Sequence, residues 1–418
     1  MSSNRLIFHV DVNSAYLSWT AVDRIQHGST MDIREIPSVV AGDPKNRHGI
    51  ILAKSIPAKK YKIQTGEPLY SALEKCPQLF IVSPCYDLFV RCSNAMMNLL
   101  KEYTPRIQRF SVDECFLDFT GMENLYPDYM ALANEIKDKI KTELGFTVSI
   151  GVSCNKLLAK VASDIKKPDA VTSLFPSEIK EKMWPLDVGD LFMVGRATIP
   201  KLNKLNIFTI GDLANYNLDI LKAQLKSHGA VIWNYANGIE NSPVRTSNHI
   251  SMKGIGNSTT IPFNVENKEE AHKVILSLCE TIGMRLRDSK NFCSLVSISF
   301  RTSNFYGYGR QKKLHYYTDS TMKIAEEAYK LFDELWQNEP LRHIGVQVSE
   351  LCTNEFYQIT LFDEKGMDKN RTIDKTIDSI RLRFGSKSIY RCIFLQSGLK
   401  PLTGGTNEND FPMMGSTL

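Results

Sequence analysis

Three carboxylates stand inside or directly after stretches of strand-forming residues. Asp113 and Glu114 interrupt the stretch QRFSVDECFLDFT at 108–120, and Asp11 follows the apolar run at 6–10. Successive side chains of a strand point to opposite faces, so an ordinary half-buried strand leaves only one face for acids. Hard oxygen ligands from separate segments are what two magnesium ions need for phosphoryl transfer. The three acids are therefore candidate ligands of two Mg²⁺ ions.

Each of these acids also has a purely structural interpretation. The pair Asp113 and Glu114 is compatible with a strand edge or a turn. Asp11 precedes Asn13 and Ser14, which favour turns, and it could equally cap the helix that the segment SAYLSW predicts. The metal hypothesis therefore depends on whether the fold brings the separate segments together.

The surrounding segments predict a sheet backed by helices. We expect strands at 5–11 and 107–119 and a further strand in FTVSIGVS at 146–153. Apolar residues four apart predict a helix at 126–144, and NKLLAKVASDIKKP predicts another that Pro168 ends. We expect the backbone to turn or twist at 112–114, so that both neighbouring acids reach one site.

Bulk composition restricts the class of protein. A chain of 418 residues with 43% hydrophobic content predicts about two to four globular domains. No apolar run approaches the roughly 20 residues of a membrane span, and the N-terminus lacks the features of a signal peptide, so we expect a cytoplasmic protein without a membrane partner. The nine cysteines form no C-x-x-C pair, which argues against a zinc site and a disulfide framework.

Positive charge is unevenly distributed, although the net charge is only +5. The stretch 44–66 carries six basic residues and no acid, and the stretch 285–313 carries seven basic residues against Asp288 alone. Such a distribution is typical of a nucleic-acid footprint, although each stretch could be a solvated face. Because two basic stretches flank the candidate metal site in the sequence, we favour a nucleic-acid partner over a solvated face.

The second half of the chain predicts two further modules. Residues 190–213 indicate two short helices about a turn at Gly195 and Arg196, similar to a helix-hairpin-helix that grips phosphates. An Asn- and Ser-rich stretch reads as a linker, and a β-α-β-β-α-β order begins at Lys253. The apolar face of the strand at 292–303 must pack against the helices. The opposite face then carries polar residues that suit a phosphate backbone: Ser297, Ser299, Arg301 and Ser303, alongside Gln347 and Ser349. The alternative is a plain solvent-exposed sheet face.

A short peptide motif follows this module. QITLF at 358–362 fits Q-x-x-L-F, the short form of bacterial sliding-clamp peptides, with Gln358 fixing register while Leu361 and Phe362 fill an apolar pocket. The alternative is a strand end. Beyond it, isoleucines at 373, 377 and 380 predict a helix that ends at Gly385.

Four motifs in register carry a resemblance to a known family. HVDVNSAY, FSVDECFLDFT, SIGVSCNKLLAKVASDIKKP and KGIGNSTT together resemble the Y-family translesion DNA polymerases over about residues 4–363. DVN after the first strand and a segment beyond the last domain are most similar to the UmuC-like branch, the ImpB/MucB/SamB family. The resemblance implies an α+β multidomain fold: palm (1–18 and 84–175), fingers (19–83), thumb (176–240), linker (241–252), a split β-α-β little finger (253–352) and a C-terminal clamp-binding segment and tail (353–418).

The resemblance implies a template-directed, error-prone DNA polymerase of the SOS damage response that bypasses lesions by two-metal nucleotidyl transfer without proofreading. Its implied partners are primer-template DNA, deoxynucleoside triphosphates and the sliding clamp, while a need for accessory damage-response subunits stays open. The alternative is a non-catalytic DNA-binding scaffold of the same fold. The implied DNA contacts are Gly195, Arg196, Ser297, Ser299, Arg301, Ser303, Lys312 and Lys313.

The resemblance also assigns residues to the nucleotide. Asp11, Asp113 and Glu114 match the metal-binding and catalytic carboxylates, and Tyr16, next to Ala15, matches the aromatic residue under the incoming sugar. Lys59 and Lys167 match contacts to the triphosphate. Lys59 stands where many members have an arginine, and a lysine offers a point charge in place of a bidentate fork; Ile56 stands where many have a tyrosine. Asn13 and Ala15 depart from the DinB-like branch.

Overall fold

The computed structural model describes residues 5–47, 49–246, 252–353, 367–385 and 388–395. The described residues divide into two compact units: the first takes 5–42 and 50–246, and the second takes 43–47, 49 and the described residues from 252 to 395. Within the described residues, no helix has the length and apolar character that crossing a membrane requires. All nine cysteines are free thiols.

The first unit is built on two sheets and a group of helices. Its strands are β1 (Ile7–Val12), β2 (Ser38–Ala41), β3 (Ile51–Lys54), β4 (Phe80–Val82), β5 (Ile107–Arg109), β6 (Glu114–Asp118), β7 (Val148–Ser153) and β8 (Val171–Ser173). Its helices are α1 (Ala15–Gln26), α2 (Ile56–Lys59), α3 (Leu69–Lys75), α4 (Tyr86–Leu100), α5 (Tyr129–Lys139), α6 (Lys156–Ile165), α7 (Ile199–Asn203), α8 (Ile210–Ala214), α9 (Leu218–Leu225) and α10 (Ser227–Ala236).

The larger sheet has the order β5-β6-β1-β7-β8, with β1 at its centre, antiparallel to both β6 and β7. Every residue of β1 is buried, because helices cover both faces of the sheet, which explains its almost continuous apolar sequence. Asn155 caps α6 by accepting a hydrogen bond from the Leu158 amide at 2.8 Å. The strand predicted at 107–119 is interrupted by a bend at 111–113, and the helix predicted at 126–144 begins at Tyr129 and ends in a π-helical turn.

A smaller sheet of order β3-β2-β4 lies between β1 and β5 in sequence and has its own apolar cluster, which includes Val39, Ile51 and Leu79. The region at 176–240 is helical around a third cluster. Its first predicted helix is only a 3₁₀ turn at Val188–Asp190, and Gly195 lies between that turn and α7. Thr209 and Asp212 form the capping box that begins α8.

The second unit has the predicted β-α-β-β-α-β order. Its elements are β9 (Gly254–Val265), α11 (Lys268–Asp288), β10 (Asn291–Thr302), β11 (Gly307–Thr318), α12 (Thr321–Leu335) and β12 (Leu341–Thr353). The strands form an antiparallel sheet of order β11-β10-β12-β9, and α11 and α12 pack on one of its faces. Asn267 caps α11 as predicted, since its side chain accepts a hydrogen bond from the Glu270 amide at 2.9 Å.

A further helix, α13 (Met367–Phe384), is held against α11 by charged side chains. Arg287 of α11 contacts both Asp378, at 2.5 Å, and Asp374, at 3.4 Å. Glu280 accepts from Arg381 at 2.9 Å and is only 2% exposed. The helix ends at Gly385, whose φ of 96° is the left-handed conformation that favours glycine, and this end was predicted.

Candidate active site and nucleic-acid interface

The predicted acids come together at one end of the larger sheet. Asp11 of β1 and Glu114 of β6 are cross-strand partners, so their side chains share a face of the sheet and lie close together. Asp113 precedes β6, and its carbonyl oxygen accepts a hydrogen bond from the Val12 amide at 3.1 Å. The fold thus brings the two acidic segments side by side.

The backbone bend before β6 allows two consecutive acids to reach the same region. The Ser111 hydroxyl oxygen accepts hydrogen bonds from the amides of Asp113 at 3.2 Å and Glu114 at 3.0 Å, and the hydroxyl donates to Asp113 Oδ1 at 2.6 Å. From α4, the Ser93 hydroxyl donates to the Val112 carbonyl. These contacts produce the departure from strand geometry expected at 112–114. Sequence reasoning did not identify either serine.

Two lysines of the α6 segment contact the acids. Lys160 Nζ lies 2.6 Å from Glu114 Oε1, and Lys167 Nζ forms an ion pair with Asp11 Oδ2. Lys167 was a predicted site residue, whereas Lys160 was missed. No local spacing marks Lys160, because Lys167 lies beyond the end of α6 and the contact of Lys160 with Glu114 joins distant segments. Asp164 of α6 also contacts Lys167, at 2.7 Å.

Burial makes Asp11 and Asp113 weaker acids than usual. It raises the pKa of Asp11 to about 6, with Lys167 opposing the shift and Glu114 adding to it. The pKa of Asp113 is also raised by burial, and Asp11 adds to this shift. Desolvation disfavours an unpaired charge, so the ionised forms of these acids require nearby cations.

The metal hypothesis was tested against the donor set. Among the described residues, no group of three or more His, Cys, Asp and Glu side chains is already arranged to hold a metal ion, and the oxygens of Asp11 and Glu114 face ammonium groups. The donors are nevertheless all carboxylate oxygens, the ligand type that Mg²⁺ prefers. Their chemistry therefore fits a hard divalent cation, and their role as ligands stays a prediction.

Tyr16 lies in the first turn of α1, five residues after Asp11. Its ring stacks on Phe89 of α4, with centroids 4.4 Å apart and planes inclined by 24°. The side chain is half-buried, and burial raises the pKa of its phenol, with the Asp113 charge adding to the shift. Tyr16 is therefore near the acids and fixed in orientation.

The other predicted nucleotide contacts are placed differently. Ala15 is only 5% exposed and belongs to the apolar core, so its side chain does not line an open site. Lys59 is exposed at the end of α2. In the part of the chain that the structure describes, no hydrogen bond or ion pair links Lys59 to the three acids.

The predicted DNA contacts of the helical region are exposed. The Gly195 carbonyl accepts hydrogen bonds from the amides of Thr198 and Ile199 at 2.8 and 3.1 Å, so Gly195 starts the turn into α7. Its surroundings are open, since a Cβ added there would meet no atom within 4 Å. Arg196 next to it is exposed.

The outward face of the four-stranded sheet, here called the polar face, has the predicted pattern. Val296, Ile298 and Phe300 are at most 2% exposed beneath the helices, while Ser299 and Arg301 are exposed on the other face and Ser297 is half-buried there. Every second residue of the four strands shares this face, and none of these outward residues is acidic. The segments concerned are 254–260 of β9, 295–301 of β10, 307–313 of β11 and 343–349 of β12. Ser303 lies beyond β10 and donates its amide to the Pro340 carbonyl at 2.8 Å.

The register corrects the position of one predicted contact. Lys312 is opposite Val296, so it lies on the helix side of the sheet, where its Nζ contacts Glu327 Oε2 at 2.9 Å. Lys313 lies on the polar face and pairs with Glu350 at 2.7 Å. Gln311, opposite Ser297, is a polar-face residue that sequence reasoning missed.

Comparison with known proteins identifies the family. Residues 10–164 match the impB/mucB/samB family, residues 252–361 match its C-terminal domain, and residues 176–207 match the IMS family HHH motif. The chain belongs to the impB/mucB/samB family. The predicted recognition is thereby confirmed, and so is the class of enzyme, a DNA polymerase.

Curated relatives of this family match nearly the whole chain. DNA polymerase IV of Clostridium acetobutylicum is 50% identical, over 94% of this chain and 99% of the relative. DNA polymerase IV of Acetivibrio thermocellus is 40% identical, over 94% and 98%, and DNA polymerase IV 2 of Bacillus subtilis is 34% identical, over 94% and 96%. None of these three names refers to a UmuC-like protein, and the UmuC-like branch stays a prediction.

Solved structures support the fold. A Y-family DNA polymerase chimera aligns with a TM-score of 0.70 at 23% identity, over 84% of this chain and all of the chimera. A ternary complex of the protein Dbh aligns with a TM-score of 0.56 at 23% identity, over 82% of this chain and 98% of the relative. The predicted α+β multidomain fold is confirmed.

The predicted clamp contacts Gln358, Leu361 and Phe362 lie outside the described residues.

Proposed function

We propose that this impB/mucB/samB family member extends a DNA primer past damaged template bases, and that it uses two Mg²⁺ ions and no proofreading step. The observation that carries the proposal is the pairing of Asp11 with Glu114, with Asp113 in the bend beside them. This arrangement places three carboxylates, contributed by two segments about 100 residues apart, at one end of a rigid sheet.

In this proposal Asp11, Asp113 and Glu114 hold the metal ions. Bound there, the ions would lower the pKa of the primer 3′-hydroxyl and neutralise charge on the leaving phosphates. The buried sheet positions the carboxylates, and Ser111 fixes the orientation of Asp113. Rigid placement of this kind reduces the entropy that the reaction must otherwise lose.

Lys160 and Lys167 supply positive charge beside the carboxylates, and both project from the α6 segment. A nucleoside triphosphate is strongly anionic, and lysine binds phosphate as a point charge. We therefore assign both lysines to the triphosphate, adding Lys160 to the predicted Lys167. Lys59 of the fingers region keeps its predicted role as a proposal.

The polar face and the turn at Gly195 hold the primer-template in this proposal. The polar face has no acidic side chain at its outward positions and carries Arg301 and Lys313. Contacts of this type are made to phosphates and carry no sequence information. Binding through phosphates does not depend on base identity, so it is compatible with a template that contains damaged bases.

The decisive experiment is the isosteric variant Asp113→Asn with Mg²⁺ or Mn²⁺, measured by single-turnover primer extension on undamaged and lesion-bearing templates. The asparagine oxygen can still accept the hydrogen bond from Ser111, so the bend should persist while a metal ligand charge is lost. We expect nucleotide addition to fall to background and DNA affinity to change less than about twofold. Asp138→Asn, at a side chain 64% exposed on α5, is the matched control and should extend primers normally.

Two results would overturn this proposal. Retained turnover in Asp113→Asn would remove the assigned role of the carboxylates. Absence of extension by the unmodified protein with either metal would favour the non-catalytic scaffold.

Recruitment of the protein by the sliding clamp through 358–362 is a separate proposal that rests on the Q-x-x-L-F pattern.

A further inference from the structure

The tip of the hairpin between β10 and β11 exposes two consecutive aromatic side chains. Phe305 is 65% exposed and Tyr306 is 75% exposed. Large rings are usually highly buried on average, and two neighbouring exposed rings leave an apolar surface in water. No part of the proposed catalytic mechanism uses these residues.

The turn that carries the rings is fixed by backbone hydrogen bonds. The Thr302 amide donates to the Tyr306 carbonyl at 2.9 Å, and the Phe305 amide donates to the Thr302 carbonyl at 3.0 Å. Phe305 has a φ of 67°, a left-handed conformation that costs energy for a residue with a side chain. The fold therefore maintains a strained turn that holds both rings at the surface.

Positive charge surrounds the rings. The Arg342 guanidinium lies 4.2 Å from the centroid of the Phe305 ring, and Arg301, the last outward residue of β10, is exposed. Among the described residues, neither arginine forms an ion pair with an acid. Burial lowers the pKa of His343, the cross-strand partner of Arg301, and the charges of Arg301 and Arg342 add to this shift.

We propose that Phe305 and Tyr306 form a stacking platform for the unpaired bases of a single-stranded nucleic acid. Every base has a face that can stack on an aromatic ring, and binding by stacking tolerates any sequence. Arg301 and Arg342 supply charge for the adjacent phosphates, and a guanidinium plane can itself stack on a base. One face of the Phe305 ring is covered by Arg342, which leaves the other face for a base.

Nucleic acid fits this surface better than a protein partner does. Exposed aromatic and arginine side chains also form protein-binding hot spots, but the tip continues directly into the polar face, which carries no acid at its outward positions. That the strand bound there is the unpaired template rests on the proposed polymerase function. Base stacking itself can be measured without any catalytic step.

The test is binding of the full-length protein to a fluorescent single-stranded oligonucleotide and to a blunt duplex of the same sequence, measured by anisotropy at several salt concentrations. The double variant Phe305→Leu/Tyr306→Leu keeps apolar side chains and removes both π faces. We expect its single-strand affinity to fall roughly fivefold or more for each base that no longer stacks, and its duplex affinity to stay within about twofold. Tyr317→Leu is the matched control, because Tyr317 is 48% exposed at the far end of β11, and it should bind as the unmodified protein does.

The salt dependence of binding distinguishes the contribution of base stacking from that of phosphate contacts. Because the rings release no counterions, the double variant should keep the slope of log affinity against log salt, whereas Arg301→Ala should reduce the single-strand slope by about 0.7. Unchanged single-strand affinity in the double variant would overturn the platform. Equal losses on single strand and duplex, together with a lower melting temperature, would show that the tip is only structural and would also overturn it. A protein that binds single strands through these rings but extends no primer would refute the polymerase proposal and leave the platform standing.

Discussion

Replacing Tyr16 by alanine separates a role in sugar selection from a role in the core. A phenol ring under the sugar would occupy the space of a ribose 2′-hydroxyl, the group that distinguishes RNA from DNA. The structure places the ring close to Asp113, whose charge contributes to the raised pKa of Tyr16, and stacks it on Phe89. We therefore expect Tyr16→Ala to admit ribonucleotides while deoxynucleotide insertion continues.

The size of both effects follows from the burial of the ring. Accommodating an extra group against a fixed ring costs about 1–3 kcal/mol, so discrimination against ribonucleotides should fall by one to two orders of magnitude, at about 1.4 kcal/mol per tenfold. Removing a fully buried aromatic ring costs about 3–5 kcal/mol. Tyr16 is half-buried, so about half of that cost, roughly 2 kcal/mol, is the expected loss of stability.

Single-nucleotide insertion of matched ribo- and deoxynucleotides, beside a thermal melt, measures both quantities. Tyr16→Phe is the control: it keeps the ring, and in the described structure the Tyr16 hydroxyl makes no hydrogen bond that would be lost. It should retain the preference for deoxynucleotides. An unchanged preference in a folded Tyr16→Ala protein would refute the assignment, and an equal loss of both insertion activities would show that the ring serves the core alone.

Three further outcomes are expected. Affinity for duplex DNA should fall steeply with salt and depend little on sequence, as measured by anisotropy, and Arg301→Ala should make that salt dependence shallower; a flat response of the unmodified protein would contradict a phosphate-based grip. Changing Leu361 and Phe362 to alanine should abolish synthesis stimulated by the sliding clamp and spare basal primer extension, whereas equal loss of both would indicate a structural segment. Glu280→Ala should destabilise the second unit by about 3–5 kcal/mol in a thermal or urea melt, because it leaves Arg381 buried without its partner; a smaller change than that of an exposed control such as Glu334→Ala would contradict the role of the network.

The order of elements was predictable because periodicity and caps act locally. Asn267 and Gly385 marked the ends of helices in the sequence, and both mark them in the structure. The face of β10 was predictable for the same reason, since alternation assigns Val296 and Ser299 to opposite sides. These features need no knowledge of distant segments.

Cross-strand position was not predictable, because register is fixed by pairing between segments. Lys312 belongs to a basic stretch, yet its partner in the neighbouring strand is Val296 and its charge faces Glu327. The bend at 111–113 was expected, and one of its contacts is local, since Ser111 accepts a hydrogen bond from the Glu114 amide. The other, from the Ser93 hydroxyl of α4 to the Val112 carbonyl, is a tertiary contact. Lys160 was missed for the complementary reason, since only the fold shows that its helix face meets Glu114.

The contacts of Lys160 and Lys167 explain how a buried sheet can carry adjacent acids. Burial raises the pKa of Asp11, and the Glu114 charge adds to the shift. Neighbouring carboxylates repel one another, so the ionised cluster would be unstable without compensating charge. The two ammonium groups supply that charge in the protein by itself. Asp113 accepts a hydrogen bond from the neutral Ser111 hydroxyl, and burial raises its pKa even though the Lys160 charge opposes that shift, so two ammonium groups serve three carboxylates. We therefore expect the cluster to bind further cations where the proposed reaction needs them, and in that proposal the lysines beside it contact the anionic substrate.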